Sequence, residues 1–259
     1  MRCSRLRMCT NYRPTSRDLI AQRMGVVAPS FAYPDETWPG YAAPLLRRAR
    51  AGSGNAAAYL ASTALASTAL ASTAQRECVA ANFGLVPFWS RDARIGRSTY
   101  NARAETAHEK PAFRQAWSRG QWALMPMDAF YEPDYATGKA LRWQIRRADG
   151  APFLVAALWE RWIDPARGEP VLSFSLLTHN ADRHPLMQRF HRPGEEKRSV
   201  VVIEDGHADD WLGATPEQAL GLLRPFDAQD WTSEAAPLPP RVKAGAPAAA
   251  PPPPAGLAF

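Results

Sequence analysis

Trp122-Ala123-Leu124-Met125-Pro126 is a short apolar run, and Phe130-Tyr131-Glu132 follows it closely. A run of this length reads as a buried strand. Similar segments lie on both sides. Upstream, Val79 to Ser90 reads as a strand entering a turn at Phe83-Gly84-Leu85-Val86-Pro87-Phe88-Trp89. Downstream, Arg142 to Arg146 alternates, with Trp143 and Ile145 on one face and Arg142, Gln144 and Arg146 on the other. Residues 153–162 form an apolar strand ending in Trp159-Glu160-Arg161-Trp162, Leu172 to Thr178 form another, and Ser199 to Ile203 is β-branched. Helical signals are few. Thr15-Ser16-Arg17-Asp18 reads as a helix start, Phe113 to Arg119 as a short helix, and residues 208–224 as helical. Asp182 to Arg192 reads as a short helix or loop. Many short strands with few helices predict an α+β fold, a single domain on a mixed, barrel-like β-sheet with short flanking helices. There is no βαβ alternation and no Gly-rich phosphate loop, which argues against a Rossmann or P-loop nucleotide-binding domain.

The chain has 259 residues, enough for one large core, and 46% of them are hydrophobic. Nine tryptophans are many for this size, and some are expected at a binding surface. The net charge of +6, mostly arginine, fits a polyanionic partner, although an Arg-rich coding background gives the same excess. Cys3, Cys9 and Cys78 are odd in number and match no zinc spacing. Neither a disulfide framework nor a metal site is expected, and a reducing cytoplasm is. No run of eighteen apolar residues exists, so no membrane helix is expected.

Three segments stand apart from the domain. Residues 28–44 read as extended loop. Residues 47–76 carry the pentad Ala61-Ser62-Thr63-Ala64-Leu65, repeated from Ala66 and again in part from Ala71. A period of five matches neither helix nor strand, so the segment reads as a low-complexity surface insertion. Residues 235–259 are dominated by Ala and Pro and read as a disordered tail.

Six side chains are candidates for chemistry. Cys9 directly follows Met8. If the chain starts at Met8 and that Met is trimmed, Cys9 carries a free amine and a thiol on one two-carbon frame. Such an aminothiol condenses with an aldehyde and closes a thiazolidine. The amine pKa of about 7.7–8.0 leaves a reactive fraction near neutrality. Residues 1–7 then read as a mis-assigned start or a removable leader. Asn101 and Arg103 read first as a polar turn, with sugar orientation and phosphate binding as the functional alternative. Glu105 reads as solvated or structural. Glu132, flanked by aromatics, is either an exposed strand end or a desolvated proton carrier. His184 and His191 lie at no metal spacing, and an acid–base role is open to either. Arg189, Arg192, Lys197 and Arg198 add positive charge beside them.

Met8-Cys9, Gly84-Leu85-Val86-Pro87 with Trp89, Asn101-Ala102-Arg103-Ala104-Glu105-Thr106, Phe130-Tyr131-Glu132, Thr178 to Ala181 and the His191 segment occur in the order found in one family. The chain resembles the SRAP proteins, the SOS response-associated peptidase-like or abasic site processing proteins, over about residues 8–230. The resemblance implies a thiol enzyme of the DNA damage (SOS) response, of formal class peptidase or hydrolase, with lyase-like crosslinking activity. Its partner would be single-stranded DNA carrying abasic sites, bound by a monomer in the cytoplasm, without cofactor, metal or membrane. By residue, the resemblance implies Cys9 as nucleophile, Asn101 on the sugar, Glu132 as catalytic carboxylate and His191, in preference to His184, as catalytic histidine. It gives Arg103 a phosphate, with Arg189, Arg192 and Arg198 in support. Phe88 and Trp89 would stack beside the missing base. Thr10 and Asn11 depart from the Gly-Arg that often follows Met-Cys in this family. Phe83 and Pro133 replace common tryptophans, and Pro193-Gly194-Glu195-Glu196-Lys197 reads as inserted. Two other readings use the same residues: a cysteine peptidase that removes its own leader, and a non-covalent single-strand binder.

Overall fold

The computed structural model describes residues 11–49 and 76–238. Eleven strands occur among them: β1 (Tyr12–Pro14), β2 (Ala42–Arg48), β3 (Arg76–Phe83), β4 (Asn101–Arg103), β5 (Trp122–Asp134), β6 (Leu141–Arg147), β7 (Phe153–Ile163), β8 (Pro170–Asn180), β9 (Arg198–Val200), β10 (Val202–Ile203) and β11 (Trp231–Ala235). Four short α-helices accompany them: α1 (Arg17–Met24), α2 (Arg114–Ser118), α3 (Ala208–Gly213) and α4 (Pro216–Leu222).

Five strands close on themselves. Going round, β5 pairs with β7, β7 with β8, β8 with β3, β3 with β2, and β2 returns to β5. The β3–β8 pair is parallel and the others are antiparallel, so the barrel is mixed, as expected. Alternation sorts the side chains. Ala123, Met125 and Met127 of β5, with Phe153, Val155 and Ala157 of β7, join the cluster inside the barrel. Trp122, Leu124, Leu154, Ala156 and Leu158 join a second cluster on the outer wall, under the helices. Coverage on both faces explains why β5 and β7 read as continuous apolar runs. Trp117, Trp122 and Trp211 pack in the outer layer with ring centroids 5.0 and 4.9 Å apart. The indole N–H groups of Trp122 and Trp211 donate to the carbonyls of Ala214 and Ala123. These rings are core, whereas Trp89 is exposed.

The strand opening at Trp122 is longer than its apolar start. It continues through Phe130-Tyr131-Glu132 to Asp134 as one element of 13 residues. Opposite β1, Arg13 faces Ala129 but Pro14 faces Met127, so Asp128 is an extra residue in the ladder. Met125 and Met127 face the barrel interior, and after the bulge so does Phe130. One inserted residue shifts the parity of the strand. Glu132, two residues beyond Phe130, therefore lies on the barrel side, where unbroken alternation would have sent it outward.

Several local readings are corrected. Ala42 to Pro44 belong to β2, not to a loop. Pro44 fits because β2 meets β5 in register only at Leu46 and Leu124, leaving little ladder for its missing N–H to interrupt. Arg47, Arg48 and Arg76 are paired strand residues, so the repeat-bearing connection is narrower than 47–76. The repeat itself and residues 239–259 lie outside the described residues. Residues 199–203 are two strands with different partners, β8 for β9 and β7 for β10. The chain before the tail pairs with β6 as β11, a strand the sequence did not signal. The helix starts are as read. Ser16 caps α1, and Thr215 and Gln218 form a capping box around Pro216 of α4.

The turn after β3 needs glycine for two reasons. Gly84 has φ +116, and a Cβ there would lie 2.5 Å from the Gly96 carbonyl oxygen. Gly84→Ala is expected to destabilise the fold by about 2–4 kcal/mol from strain and overpacking, read as a lower denaturant midpoint.

Candidate active site

Glu132 and His191 meet at the end of β5. Glu132 is 2% and His191 4% exposed, and Nδ1 of the imidazole lies 3.6 Å from the carboxylate Oε2. The other ring nitrogen, Nε2, lies 3.0 Å from the Arg198 carbonyl oxygen. A carbonyl only accepts, so Nε2 carries the hydrogen and Nδ1 is the nitrogen turned to Glu132. At 3.6 Å the two groups are an ion pair when the ring is protonated, just beyond hydrogen-bond reach, a spacing compatible with general acid–base work once they close on a substrate.

His191 holds this position under strain. Its φ of +67 is the one positive value at a non-glycine residue among those described. Such a conformation costs about 1 kcal/mol or more and persists only where surrounding contacts enforce it. Those contacts are present. The His191 N–H donates to the Pro133 carbonyl, and Phe190 bridges to Asp134 in antiparallel register. Arg189 donates from Nε and Nη2 to the Asp134 carboxylate at 2.8 and 2.6 Å and stacks on Trp143, 3.8 Å from the ring centre. Trp143 is the cross-strand neighbour of Glu132. Arg189 is thus a clamp on the segment that carries His191, and its charge is already paired.

His184 is built differently. Its Nδ1 accepts from the N–H groups of Leu186 and Met187, both at 3.2 Å, and Nε2 donates to the Phe226 carbonyl at 3.0 Å. Both nitrogens are committed to folding the 184–187 turn.

The first described residue, Asn11, enters beside this site. Its carbonyl accepts from the Tyr131 N–H, and its side-chain oxygen accepts from Arg142. Arg142 also donates to Glu36 at 2.8 Å and to the Ala236 carbonyl at 3.1 Å, and stacks 3.4 Å from the Tyr131 ring centre. One guanidinium therefore ties the N-terminal strand, the loop before β2 and the chain after β11 to β5. The sequence reading missed this role. Its one signal was the alternation that put Arg142 on the polar face of β6. Cys9 lies outside the described residues.

Asn101 and Arg103 flank the buried Ala102 on β4 and so share one face. Arg103 is exposed, with Nη2 2.9 Å from Glu196. Glu105 accepts from both terminal nitrogens of Arg198 and from the Asn180 N–H. Burial pushes its carboxyl upward, but these hydrogen bonds outweigh burial and hold it below the ordinary range. Arg198 corrects the sequence reading. It is 2% exposed and bonded to Glu105, Glu196 and Thr178, so with Glu196 in place it presents no free charge at the surface. Arg192 is exposed beside Tyr135. Lys197 donates to the carbonyls of His191 and Arg192. Of the basic patch read from the sequence, Arg198 is buried and Arg189 and Lys197 are bonded within the protein, while Arg189 and Arg192 remain exposed.

Phe88 and Trp89 are 46% and 49% exposed on the turn after β3. The turn is fixed by Val86 N–H on Ser173, Trp89 Nε1 on the Pro111 carbonyl and Trp162 Nε1 on the Ser90 carbonyl. Thr99, two residues before Asn101, bonds back to Leu85. Two aromatic faces are thus presented on a rigid support linked to β4. Cys78 is not a candidate nucleophile, because burial pushes its thiol up to about 12. No cluster of metal-ligating side chains occurs among the described residues.

Burial holds the His184 imidazole below the ordinary histidine range, and the Phe226 carbonyl and Asp227 only partly oppose it. The unfolded chain then binds the proton more readily. This contribution to stability is whole above about pH 6.5 and is lost as pH falls through the lowered folded value. His179, also lowered chiefly by burial, acts with the same sign. The urea midpoint is expected to fall between pH 7 and pH 5, and less steeply in a His184→Gln protein.

The sequence model of the SOS response associated peptidase (SRAP) family matches residues 3–244. The abasic site processing protein YoqW of Bacillus subtilis is 32% identical over 152 residues, a match spanning 57% of this chain and 64% of that relative. The abasic site processing protein HMCES of Xenopus tropicalis is 22% identical over 186 residues, 59% of this chain and 51% of that protein. Among solved structures, a Bordetella bronchiseptica protein superposes with a TM-score of 0.75 at 33% identity, covering 89% of this chain and 100% of that one. A Bacteroides thetaiotaomicron protein shares the fold with a TM-score of 0.65 at 21% identity. The chain belongs to the SRAP family.

Proposed function

We propose that the protein processes abasic sites in single-stranded DNA by closing a thiazolidine between the aminothiol of Cys9 and the ring-opened deoxyribose. The observation that carries the reading is the buried Glu132–His191 pair, set where the N-terminal strand joins β5 beside Tyr131. Asn11, two residues after Cys9 in the sequence, bonds to Tyr131, the neighbour of Glu132. The names of the matched relatives point to the same lesion.

The steps follow from the groups present. An abasic deoxyribose opens when its hydroxyl proton leaves and the ring oxygen gains one. Glu132 shuttles that proton. The Cys9 amine adds to the aldehyde carbon, and the carbinolamine loses water to an imine, with His191 supplying the proton for the departing hydroxyl. The thiolate then adds to the imine carbon, the nitrogen takes up a proton, and the five-membered ring closes. Asn101 orients the sugar, and Arg103 binds a flanking phosphate. Phe88 and Trp89 stack on the bases beside the gap. Arg192 adds charge at the rim. Arg189 and Arg198 act from within, by holding the His191 segment.

A protein beginning at Cys9 is expected to form a heat-stable adduct with abasic single-stranded DNA whose intact mass equals the two components less one water. An adduct of that mass from Cys9→Ala would overturn the reading. His191→Ala and Glu132→Gln are expected to slow adduct formation about 100-fold or more while leaving affinity for intact DNA unchanged. Trp89→Ala should weaken that affinity by about 1–3 kcal/mol, measured by fluorescence anisotropy.

A further inference from the structure

Arg103 faces the solvent, yet its charge is already met. Glu196 places Oε2 2.9 Å from Arg103 Nη2. Its other oxygen, Oε1, accepts from Arg198 Nη1 at 2.9 Å and from Asn180 Nδ2 at 3.3 Å. Three donors from three strands, β4, β8 and β9, converge on one carboxylate. Arg198 is buried and anchored from behind by Glu105 and Thr178, so its share of the cradle is fixed. Asn180 is fixed as well, through its own N–H on Glu105 and its side chain on Asp182. A planar oxyanion held by one N–H from each of two guanidinium groups and by an amide N–H is an arrangement that also suits phosphate. The carboxylate is carried on a surface segment rather than on a strand. Glu196 follows Pro193-Gly194-Glu195, a surface segment with Gly194 in the left-handed region at φ +80 and nothing against it.

We infer that Arg103, Arg198 and Asn180 form a phosphodiester subsite that Glu196 occupies while no DNA is bound, so that Glu196 sets the affinity of the protein for the DNA backbone. This rests on the reading of Arg103 as a phosphate contact and adds the competitor. A phosphate entering the subsite displaces Oε2 from Arg103 and then lies near a carboxylate of like charge. Glu196 thus opposes backbone binding twice, by blocking the donor and by repelling the ligand. Intact single strands are held weakly, and lasting attachment depends on the lesion.

The test is anisotropy of a labelled intact oligonucleotide, with no abasic site, titrated with the full chain at one low salt concentration. Glu196→Gln keeps the size of the side chain and an oxygen acceptor but removes the charge. Glu195→Gln removes a charge from the same segment, away from the cradle. Glu196→Gln is expected to tighten binding about three- to tenfold more than Glu195→Gln, and the gain should vanish when Arg103→Ala is added. If Glu196→Gln does no more than Glu195→Gln while Arg103→Ala weakens wild-type binding, the phosphate contact stands and the inference falls. A gain that survives in the Arg103→Ala background also overturns it. If Arg103→Ala changes nothing in either background, Arg103 meets no phosphate and both readings fall. Thermal unfolding of each variant separates these outcomes from loss of fold.

Discussion

The bulge at Asp128 is the constraint on which the candidate site depends. Strand alternation is rigid, and a side chain cannot change faces without an extra residue in the ladder. β5 must face the barrel with Met125 and Met127 in its first half and present Glu132 on that same side in its second. An even spacing from Met127 would give Ala129 and Tyr131 to the interior and turn Glu132 outward. The extra residue reverses this, puts Phe130 into the core and carries the carboxylate to the barrel mouth. The bulge has a cost in polar burial. Burial raises the Asp128 carboxyl above its ordinary range, and the Thr15 hydroxyl offsets this only in part. β1 follows the kink, so the position of the N-terminal strand is set by the same residue.

A second dependence runs through Arg198. Its side chain draws Glu105, Glu196 and Thr178 together, and its carbonyl fixes the tautomer of His191. A buried guanidinium is costly unless its donors are satisfied; here Glu105, Glu196 and Thr178 take both terminal nitrogens, while Nε has no partner. The same residue thus connects the anion cradle on β4 to the acid–base pair on β5. A change at Arg198 is not a change of surface charge. It releases Glu105 and unseats the carbonyl that keeps Nδ1 turned to Glu132.

Much of the fold was legible because the barrel strands are covered on both faces and read as apolar runs. Residues 153–162 and Leu172 to Thr178 fall inside β7 and β8, and the alternation at Arg142 to Arg146 falls inside β6. The missed elements lack that signal. β2 is interrupted by Pro44 and ends in two arginines, of which Arg47 is buried through partners elsewhere, Glu77 and the face of Trp159. β11 is short and half-exposed, and it is defined by pairing with β6 rather than by its own composition. The motif residues Glu132 and His191 were nameable from sequence, but their separation was not, because it depends on a bulge and on one positive φ. The arginines were the hardest to read. Arg103, Arg189 and Arg198 look alike in a sequence, yet one faces solvent, one clamps Asp134 and one is sealed in the interior.

That difference bears on the proposed function, because it decides how a modestly basic protein would meet a nucleic acid. A surface of free arginines would bind any nucleic acid through counterion release, with affinity rising with each phosphate contacted. Here Arg189 is neutralised by Asp134, Arg142 is paired with Glu36, and Arg103 shares Glu196 with Arg198. These pairs cancel within the net charge, so the excess of +6 is carried by other residues. On the proposed function, pairing of this kind would weaken indiscriminate attachment but leave the covalent step at a lesion untouched, because bond formation at an aldehyde does not depend on the number of phosphates held. Selectivity would then rest on chemistry at the gap and on the exposed aromatic pair Phe88 and Trp89, whose faces suit bases rather than charge.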